Sequence, residues 1–280
     1  MPPDEPHERA VMQITEQTFD IGFACDPADE LIMIGDIHGY ADLLEALLAH
    51  AVNIPRIAGR ARKLIFLGDL IDRGSESIRS LDLAIGAAAR LDCEVVGLLG
   101  NHEQFLRIAL EEIDLISDLA VANWVRNGGA AVIGELKELT PGAGLDVPAA
   151  LGEARLAWLK SLRSHYRSGK IMAVHAGLNP HIPLDEFLSQ PWLVDFSRFK
   201  ERTHWAWVRE PFLDHVPQPG HGHHGFFVVH GHTTPRDDTV SVDDQITRAR
   251  INLDAGSYKT GRARMVRIID NEATLFEAVA

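Results

Sequence analysis

Gly68-Asp69-Leu70-Ile71-Asp72-Arg73-Gly74 crowds two carboxylates and a guanidinium into seven residues, directly after a short apolar run at residues 64–67 (LIFL). A run of that length and composition reads as a buried strand. Open α/β sheets hold their ligands at the carboxyl ends of strands, so Asp69 stands where a metal would bind. Arg73 can face the same pocket and offer a planar fork to phosphate oxygens. Taken alone, the heptapeptide reads equally as a surface Asp-Gly turn with a solvated ion pair. Its neighbours decide between the two.

Upstream, residues 31–34 (LIMI) form the first strong strand and end in Gly35-Asp36-Ile37-His38-Gly39. That loop opens into a helix with Leu43, Leu44, Leu47, Leu48 and Ala51 on its buried face. After the heptapeptide a second helix starts near Ser75, a favourable N-cap residue, with Ile78, Leu81, Ile85 and Ala88 at helical spacing. Residues 93–99 make a third strand, ending in Gly100-Asn101-His102-Glu103 and passing into another helix. Asp36, Asp69 and Asn101 follow one another at intervals of 33 and 32 residues, the length of a βαβ unit. Parallel strands of one sheet start from the same edge, so the three loops should converge at the sheet's carboxyl end.

Residues 104–168 read as a helical cap inserted in the domain, with helices over 107–119, 130–139 and 154–166 and a Pro-Gly-rich break over 140–148. Strand resumes at 170–174 (KIMAV) and stops at His175-Ala176-Gly177. A weakly periodic stretch with Trp192, Trp205 and Trp207 leads to a Pro-Gly-His loop at 217–225. The strand 226–229 then runs into His230-Gly231-His232-Thr233. Residues 251–253, 263–269 and 273–278 alternate as strands, with Asp270-Asn271 as a hairpin turn. Residues 1–9 (MPPDEPHER) mix three prolines with charges and read as a disordered lead-in, which leaves 10–280 as one domain.

With 280 residues, 46% of them hydrophobic, the chain can bury a sizeable core. Its net charge of -13 argues against general nucleic-acid binding, so any phosphate chemistry has to use local positive charge. Cys25 and Cys93 show neither metal-ligand spacing nor a disulfide framework and read as reduced thiols of a cytoplasmic protein. No basic-then-apolar leader opens the chain, and no apolar run approaches the ~20 residues of a membrane helix, so no membrane partner is expected. Oligomeric state is not legible.

Five strand ends thus carry Asp36 with His38, Asp69, Asn101, His175 and His232, all oxygen or imidazole donors and none a thiolate. Such a set suits two hard or borderline divalent ions. One shared Asp would hold them roughly 3.5 to 4 Å apart, with a bridging hydroxide as nucleophile, as in two-metal phosphatases and nucleases. Each residue alone is a weak signal: an Asn-His after a strand is commonly a cap, and a lone histidine commonly a satisfied core residue. Five at successive strand ends are hard to assign to chance.

The ordered series GDxHG, GDxxDRG, GNHE, HAG and GHT, complete from Gly35 to Thr233, resembles the phosphoprotein phosphatase family of calcineurin-like metallophosphoesterases, in its bacterial and phage lambda-type members. Arg73 and Glu103 carry that choice, because many broader metallophosphoesterases lack the DRG and end the third motif in Asp. The resemblance implies an α/β sandwich of two mixed β-sheets flanked by helices, with the metals at the sheet edge. By the same resemblance Asp36, His38 and Asp69 would hold one ion and Asp69, Asn101, His175 and His232 the other, with Asp69 as the bridge. Manganese leads the choice of ion, ahead of iron, zinc, cobalt and nickel. His102 would be the general acid, oriented by Asp72. Arg73 would clamp the phosphoryl oxygens, and Arg209, closing Trp205-Ala206-Trp207-Val208-Arg209, would be the second clamp.

The implied activity is a phosphomonoesterase, first a serine/threonine protein phosphatase that also reaches phosphotyrosine, with a phosphorylated protein or peptide as its partner. The related diadenosine tetraphosphatases use the same machinery on a phosphoanhydride. A non-catalytic scaffold on this fold is the third reading, and it would be marked by lost ligand or acid residues; none is lost here. Asn127-Gly128-Gly129 resembles an element of the same bacterial group and reads equally as a helix C-cap. Strand alternation puts His230 and His232 on one face, and the GHT match favours His232 as the ligand. His221, His223 and His224 read as solvated loop residues, with adventitious zinc or nickel binding as a side reading. Ala255 stands where relatives often carry Thr in Asp-Thr-Gly, a departure expected to touch packing or substrate fit and not the metals.

Overall fold

The structure, a computed structural model, describes residues 12–111, 114–141 and 146–280. The lead-in expected at residues 1–9 lies outside the described residues. Strands run in the order β1 (Gln13–Asp20), β2 (Asp29–Ile34), β3 (Ala61–Phe66), β4 (Glu94–Gly97), β5 (His165–Ser168), β6 (Ile171–Val174), β7 (Phe227–His230), β8 (Arg250–Asn252), β9 (Arg262–Ile269) and β10 (Glu272–Val279). They build two mixed sheets, ordered β1-β10-β9-β2-β3-β4 and β5-β6-β7-β8. β2, β3 and β4 pair in parallel, as do β6, β7 and β8, so the loops leaving these strands emerge at common edges.

Apolar side chains fill both faces of the central strands, which is why these strands read as continuous hydrophobic runs. Leu31, Met33, Ile65 and Leu67 pack between the sheets with Ala173, Phe227, Val229 and Ile251. Ile32, Ile34, Leu64 and Phe66 face outward onto helices α1 (Ala41–Asn53) and α2 (Ser77–Leu91). α1 buries Leu43, Leu44, Leu47, Leu48 and Ala51, as its periodicity predicts. In α2 the buried face is Ile78, Leu81, Ala84, Ala87 and Leu91, so Ile85 and Ala88 fall off the predicted stripe. Its first amides are met from elsewhere in the chain: Ser77 N and Ile78 N donate to the Glu135 carboxylate at 2.8 and 2.9 Å, where the sequence suggests a cap by Ser75.

Between β4 and β5 lie α3 (Asn101–Leu110), α4 (Asp114–Trp124), α5 (Ala130–Leu139) and α6 (Val147–Ser161), the expected helical insertion. The predicted helix over 107–119 is therefore divided between α3 and α4. The predicted helix over 154–166 stops earlier, because His165–Ser168 turns back through Gly169, at φ 54°, and pairs antiparallel with β6. β1, which pairs antiparallel with β10, has no counterpart in the sequence reading.

The tryptophan-bearing stretch before β7 is held by a histidine that stays neutral. Buried His204 donates from Nε2 to Pro191 O and accepts from Ala206 N at Nδ1, both at 3.1 Å, so a second ring proton would break the latter bond. Burial pushes its pKa down from 6.5 to about 4. Unfolded chain therefore takes the proton first as pH falls, and His204 withdraws stability between pH 6.5 and about 4 while contributing no pH dependence above that window. In His204→Phe the fall of unfolding free energy across this range should be shallower by up to about 1.4 kcal/mol per pH unit, whatever the variant's stability at neutral pH. Parallel pH profiles from urea denaturation would contradict this assignment.

Candidate metal centre

The loops after β2 and β3 are tied through their backbones: Ile37 N and His38 N donate to Asp69 O at 3.0 and 2.9 Å, and Gly39 N to Leu70 O at 2.9 Å. α3 joins them through Glu103, whose carboxylate accepts from Asp69 N and Leu70 N, both at 2.8 Å. His102 N donates to Asp69 Oδ1 at 3.1 Å. The second sheet is attached by Gly231 N to His175 O at 2.7 Å and His232 N to Asp36 Oδ2 at 3.0 Å. Such approaches require glycine: a Cβ on Gly100 would fall 2.1 Å from Asp69 Oδ1, and one on Gly231 2.0 Å from Asp36 Oδ1. His38, Asp69, Asp72, Arg73 and His232 all hold left-handed backbone, at φ 50°, 54°, 75°, 69° and 68°. Conformations of this kind cost roughly 1 to 3 kcal/mol each and persist where surrounding contacts fix them.

Three histidines each spend one ring nitrogen on a backbone carbonyl. His38 Nδ1 lies 3.0 Å from Ile71 O, His175 Nδ1 2.8 Å from Leu67 O and His232 Nε2 3.1 Å from Trp207 O. Donation to those carbonyls sets the tautomer and leaves His38 Nε2, His175 Nε2 and His232 Nδ1 to face the centre, as metal-binding histidines do. Asp69 lies between them, with Oδ2 3.7 Å from His38 Nε2 and Oδ1 3.5 Å from His175 Nε2. Asn101 Oδ1 is 2.8 Å from His232 Nδ1 and 3.2 Å from His175 Nε2. Two ligand atoms about 2.1 Å from one ion stand about 3 to 3.5 Å apart, so the separations of 3.2 and 3.5 Å suit coordination, and those of 2.8 and 3.7 Å lie just outside that range. Two overlapping buried groups can hold an ion, His38-Asp69-His102 and Asp69-His175-His232, and Asp69 is common to both. Asp36 Oδ1 is buried with no hydrogen-bond partner, as a carboxylate oxygen reserved for a cation would be. The donor set fits two divalent ions.

Charge points the same way. Burial, then the nearby charges of Asp254 and Asp69, drives the Asp36 carboxyl well above its usual range. Glu103 is pushed up to about 7 by burial and the charge of Asp69, and Asp254 to about 6 chiefly by burial. Asp69 is the exception: burial opposes its charge, but His175, His102 and His38 around it hold its carboxyl well below the normal range. Burial likewise opposes charge on His175, and Asp69 nevertheless lifts it to about 9, so an ion at Nε2 would take the place of a proton. Burial lowers His38 and His232 well below 6.5, so each stays neutral with a lone pair on the nitrogen that faces the centre. Carboxylates so closely buried are best neutralised by cations.

Beside this cluster, His102 Nδ1 contacts Asp72 Oδ2 at 2.6 Å. Arg73 lies over the Tyr258 ring, 4.2 Å from its centroid, and directs its guanidinium nitrogens to His38 Nε2 at 2.9 Å and His102 Nε2 at 3.0 Å. Arg209 Nη2 donates to His232 O at 3.3 Å and borders a cavity of about 710 Å³ that also carries Arg202 and Arg236.

Residues 30–263 match the calcineurin-like phosphoesterase family. The chain belongs to that family.

Calcineurin-like phosphoesterases use a binuclear metal centre, which agrees with the two overlapping groups around Asp69. Over 149 residues the chain is 31% identical to a symmetrical bis(5'-nucleosyl)-tetraphosphatase of Methylococcus capsulatus, covering 52% of this chain and 42% of the relative. Over 100 residues it is 35% identical to a Schizosaccharomyces pombe protein named as a candidate serine/threonine-protein phosphatase, covering 30% of each. The chain thus matches less than half the length of these relatives. Among solved structures, a serine/threonine phosphatase of Saccharomyces cerevisiae superposes with a TM-score of 0.59 at 13% identity, over 91% of this chain and 81% of the other. A cold-active protein tyrosine phosphatase gives 0.50 at 17% identity, over 90% and 81%. At these identities the likeness concerns the fold, which is the predicted sandwich of two mixed sheets flanked by helices.

Within this calcineurin-like fold the loops bring Asp36, His38, Asp69, Asp72, Arg73, Asn101, His102, His175 and His232 together, with Arg209 at the rim. His102 is less clear-cut than expected, because its Nε2 is 3.9 Å from Asp69 Oδ2, within reach of a shared ion. His230 corrects the same-face expectation: β7 ends there, and the left-handed turn at His232 sends the two rings apart, His230 Nε2 towards Arg250 at 3.2 Å. His223 corrects the solvated-loop expectation, being buried with Nε2 on Arg248 O at 2.9 Å. His224 is half-buried and meets Asn179 O at 2.9 Å, while His221 is exposed. Sequence reasoning missed Asp254, Tyr258 and Trp124 at the site. Asp254 carries part of the signal of the others, an acidic residue just past a strand end, here β8; Trp124 gives no local signal.

Proposed function

We propose that this calcineurin-like phosphoesterase is a metal-dependent phosphomonoesterase acting on phosphoserine and phosphothreonine in proteins, with phosphotyrosine also accepted. The observation that carries the reading is the buried pair His102 Nδ1 and Asp72 Oδ2 at 2.6 Å, opening beside Arg73. A serine alkoxide leaves badly without a proton, so a histidine held by a carboxylate is the group this ester needs. Asp36, His38 and Asp69 would hold one ion and Asp69, Asn101, His175 and His232 the other. Bound there, two divalent ions, manganese in the first instance, would supply a nucleophile from water at neutral pH and neutralise charge on the phosphoryl group. Arg73 and Arg209 orient the phosphoryl oxygens through bidentate bonds, and His102, whose Nε2 accepts from Arg73 at 3.0 Å, would carry a proton to the departing oxygen once Arg73 turns to the phosphoryl group.

Arg209→Ala should raise KM and the inhibition constant of free phosphate roughly tenfold or more while metal content is unchanged, because a charge-assisted contact is lost. Unchanged phosphate inhibition would remove Arg209 from the site.

A dinucleoside polyphosphate hydrolase is the second reading. It is supported by the tetraphosphatase relative and by Arg202 and Arg236 beside Arg209, where further phosphates could lie. Glu210, Asp214 and Asp237 line the same cavity and weaken that case. Parallel kcat/KM values for a phosphoserine peptide and a dinucleoside tetraphosphate decide it: higher values for the peptide support the first reading, and exclusive cleavage of the anhydride supports the second.

A further inference from the structure

We propose that Trp124 and the Gly128-Gly129 turn of the helical insertion are positioning residues, which hold Asp72 and Arg73 in their working geometry. The inference rests on the role given to the Asp72–His102 pair. Trp124 closes α4 and is 2% exposed. Its indole Nε1–H donates to both Asp72 oxygens, at 2.8 and 3.0 Å, while Oδ2 also meets His102 Nδ1 at 2.6 Å. An indole nitrogen is a donor only, so Trp124 cannot exchange a proton with Asp72. What it can do is fix the carboxylate's plane and keep both oxygens engaged.

The next turn supports the same segment from another side. Gly128, at φ 113°, presents its carbonyl to Arg73 N at 3.2 Å. A Cβ there would fall 2.7 Å from Arg73 Cγ, and a Cβ on Gly129 would fall 2.4 Å from Trp124 Cδ1 and Nε1. One glycine therefore admits the arginine and the other admits the indole. Asn127 is exposed and donates to Asn123 O at 2.8 Å within its own helix, so the two glycines carry the function of the motif. A third support comes through Asp72 N, which donates to Ser77 Oγ at 3.1 Å, while Glu135 of α5 holds Ser77 N. Asp72 and Arg73, both in left-handed backbone, are thus braced by the insertion as well as by their own loop.

A double-mutant cycle on the metal-loaded enzyme tests this. Trp124→Phe keeps the ring and removes the donor. It should lower kcat on a phosphoserine peptide roughly tenfold, with KM little changed, as loss of a hydrogen bond to a charged group does. In an Asp72→Ala background the same change should alter kcat less than about twofold, because Trp124 acts through Asp72. Gly129→Ala, which crowds the indole without removing it, runs the same cycle as a second arm, and melting curves with metal analysis check that each variant is folded and loaded. A Trp124→Phe or Gly129→Ala effect that persists in full without Asp72 overturns the proposal. The proton-donor reading fails separately: if Asp72→Ala slows an aryl phosphate as much as the peptide, that reading falls, while non-additivity still supports Trp124 as the support of Asp72.

Discussion

Asp69→Asn should abolish turnover, by at least about 10³-fold, and should lower the number of bound ions. The residue stands between the two candidate ion sites, with one oxygen towards His38 at 3.7 Å and the other towards His175 at 3.5 Å. A neutral amide offers one oxygen where the carboxylate offers two, so it cannot serve both sites. Loss of Lewis-acid stabilisation removes several kcal/mol, and each 1.36 kcal/mol is about tenfold in rate. Steady-state rates with metal content by mass spectrometry check both parts. Near-normal turnover with two ions bound would show that Asp69 is not the shared ligand.

His102→Asn should slow a phosphoserine peptide by about 10² to 10⁴, the usual contribution of general acid catalysis, and an aryl phosphate far less. An aryl oxide is a weak base and leaves without help, whereas a serine alkoxide does not. Asp72→Asn should show the same bias in milder form, because the imidazole stays but its orienting carboxylate at 2.6 Å is weakened. The geometry also sets out the competing outcome. His102 Nε2 lies 3.9 Å from Asp69 Oδ2 and belongs to one of the groups that can hold an ion. If His102→Asn loses an ion and slows both substrates equally, the residue is a ligand and the acid lies elsewhere.

The centre was legible in the sequence because its donors sit at the ends of strands buried on both faces. Runs such as Leu64 to Leu67 leave little room for misreading, and Asp36, Asp69 and Asn101 follow them at βαβ spacing. What escaped had partners far along the chain. Trp124 meets Asp72 across 52 residues and on a helix whose pattern gives no hint of it. β1, mostly exposed and rich in polar residues, declares itself only through pairing with β10 at the other end of the described chain. His165 and Tyr166 continue a helical pattern on paper, yet the antiparallel pairing with β6 outweighs that local preference. His223 looks like part of a polar loop until the fold packs Phe212 against its ring, at 4.7 Å between centroids. Asp254 follows β8 as Asp36 follows β2, but no glycine precedes it to mark the loop.

In the proposed function, strand-end loops from two sheets build one dinuclear centre for phosphoester hydrolysis. The most direct measurement is hydrolysis of a phosphoserine peptide followed as manganese is titrated into chelator-stripped protein, with bound metal counted in parallel. No turnover is expected in the stripped protein, and full turnover only as binding reaches two ions per chain. Full turnover with no bound ion, or with one, would contradict it.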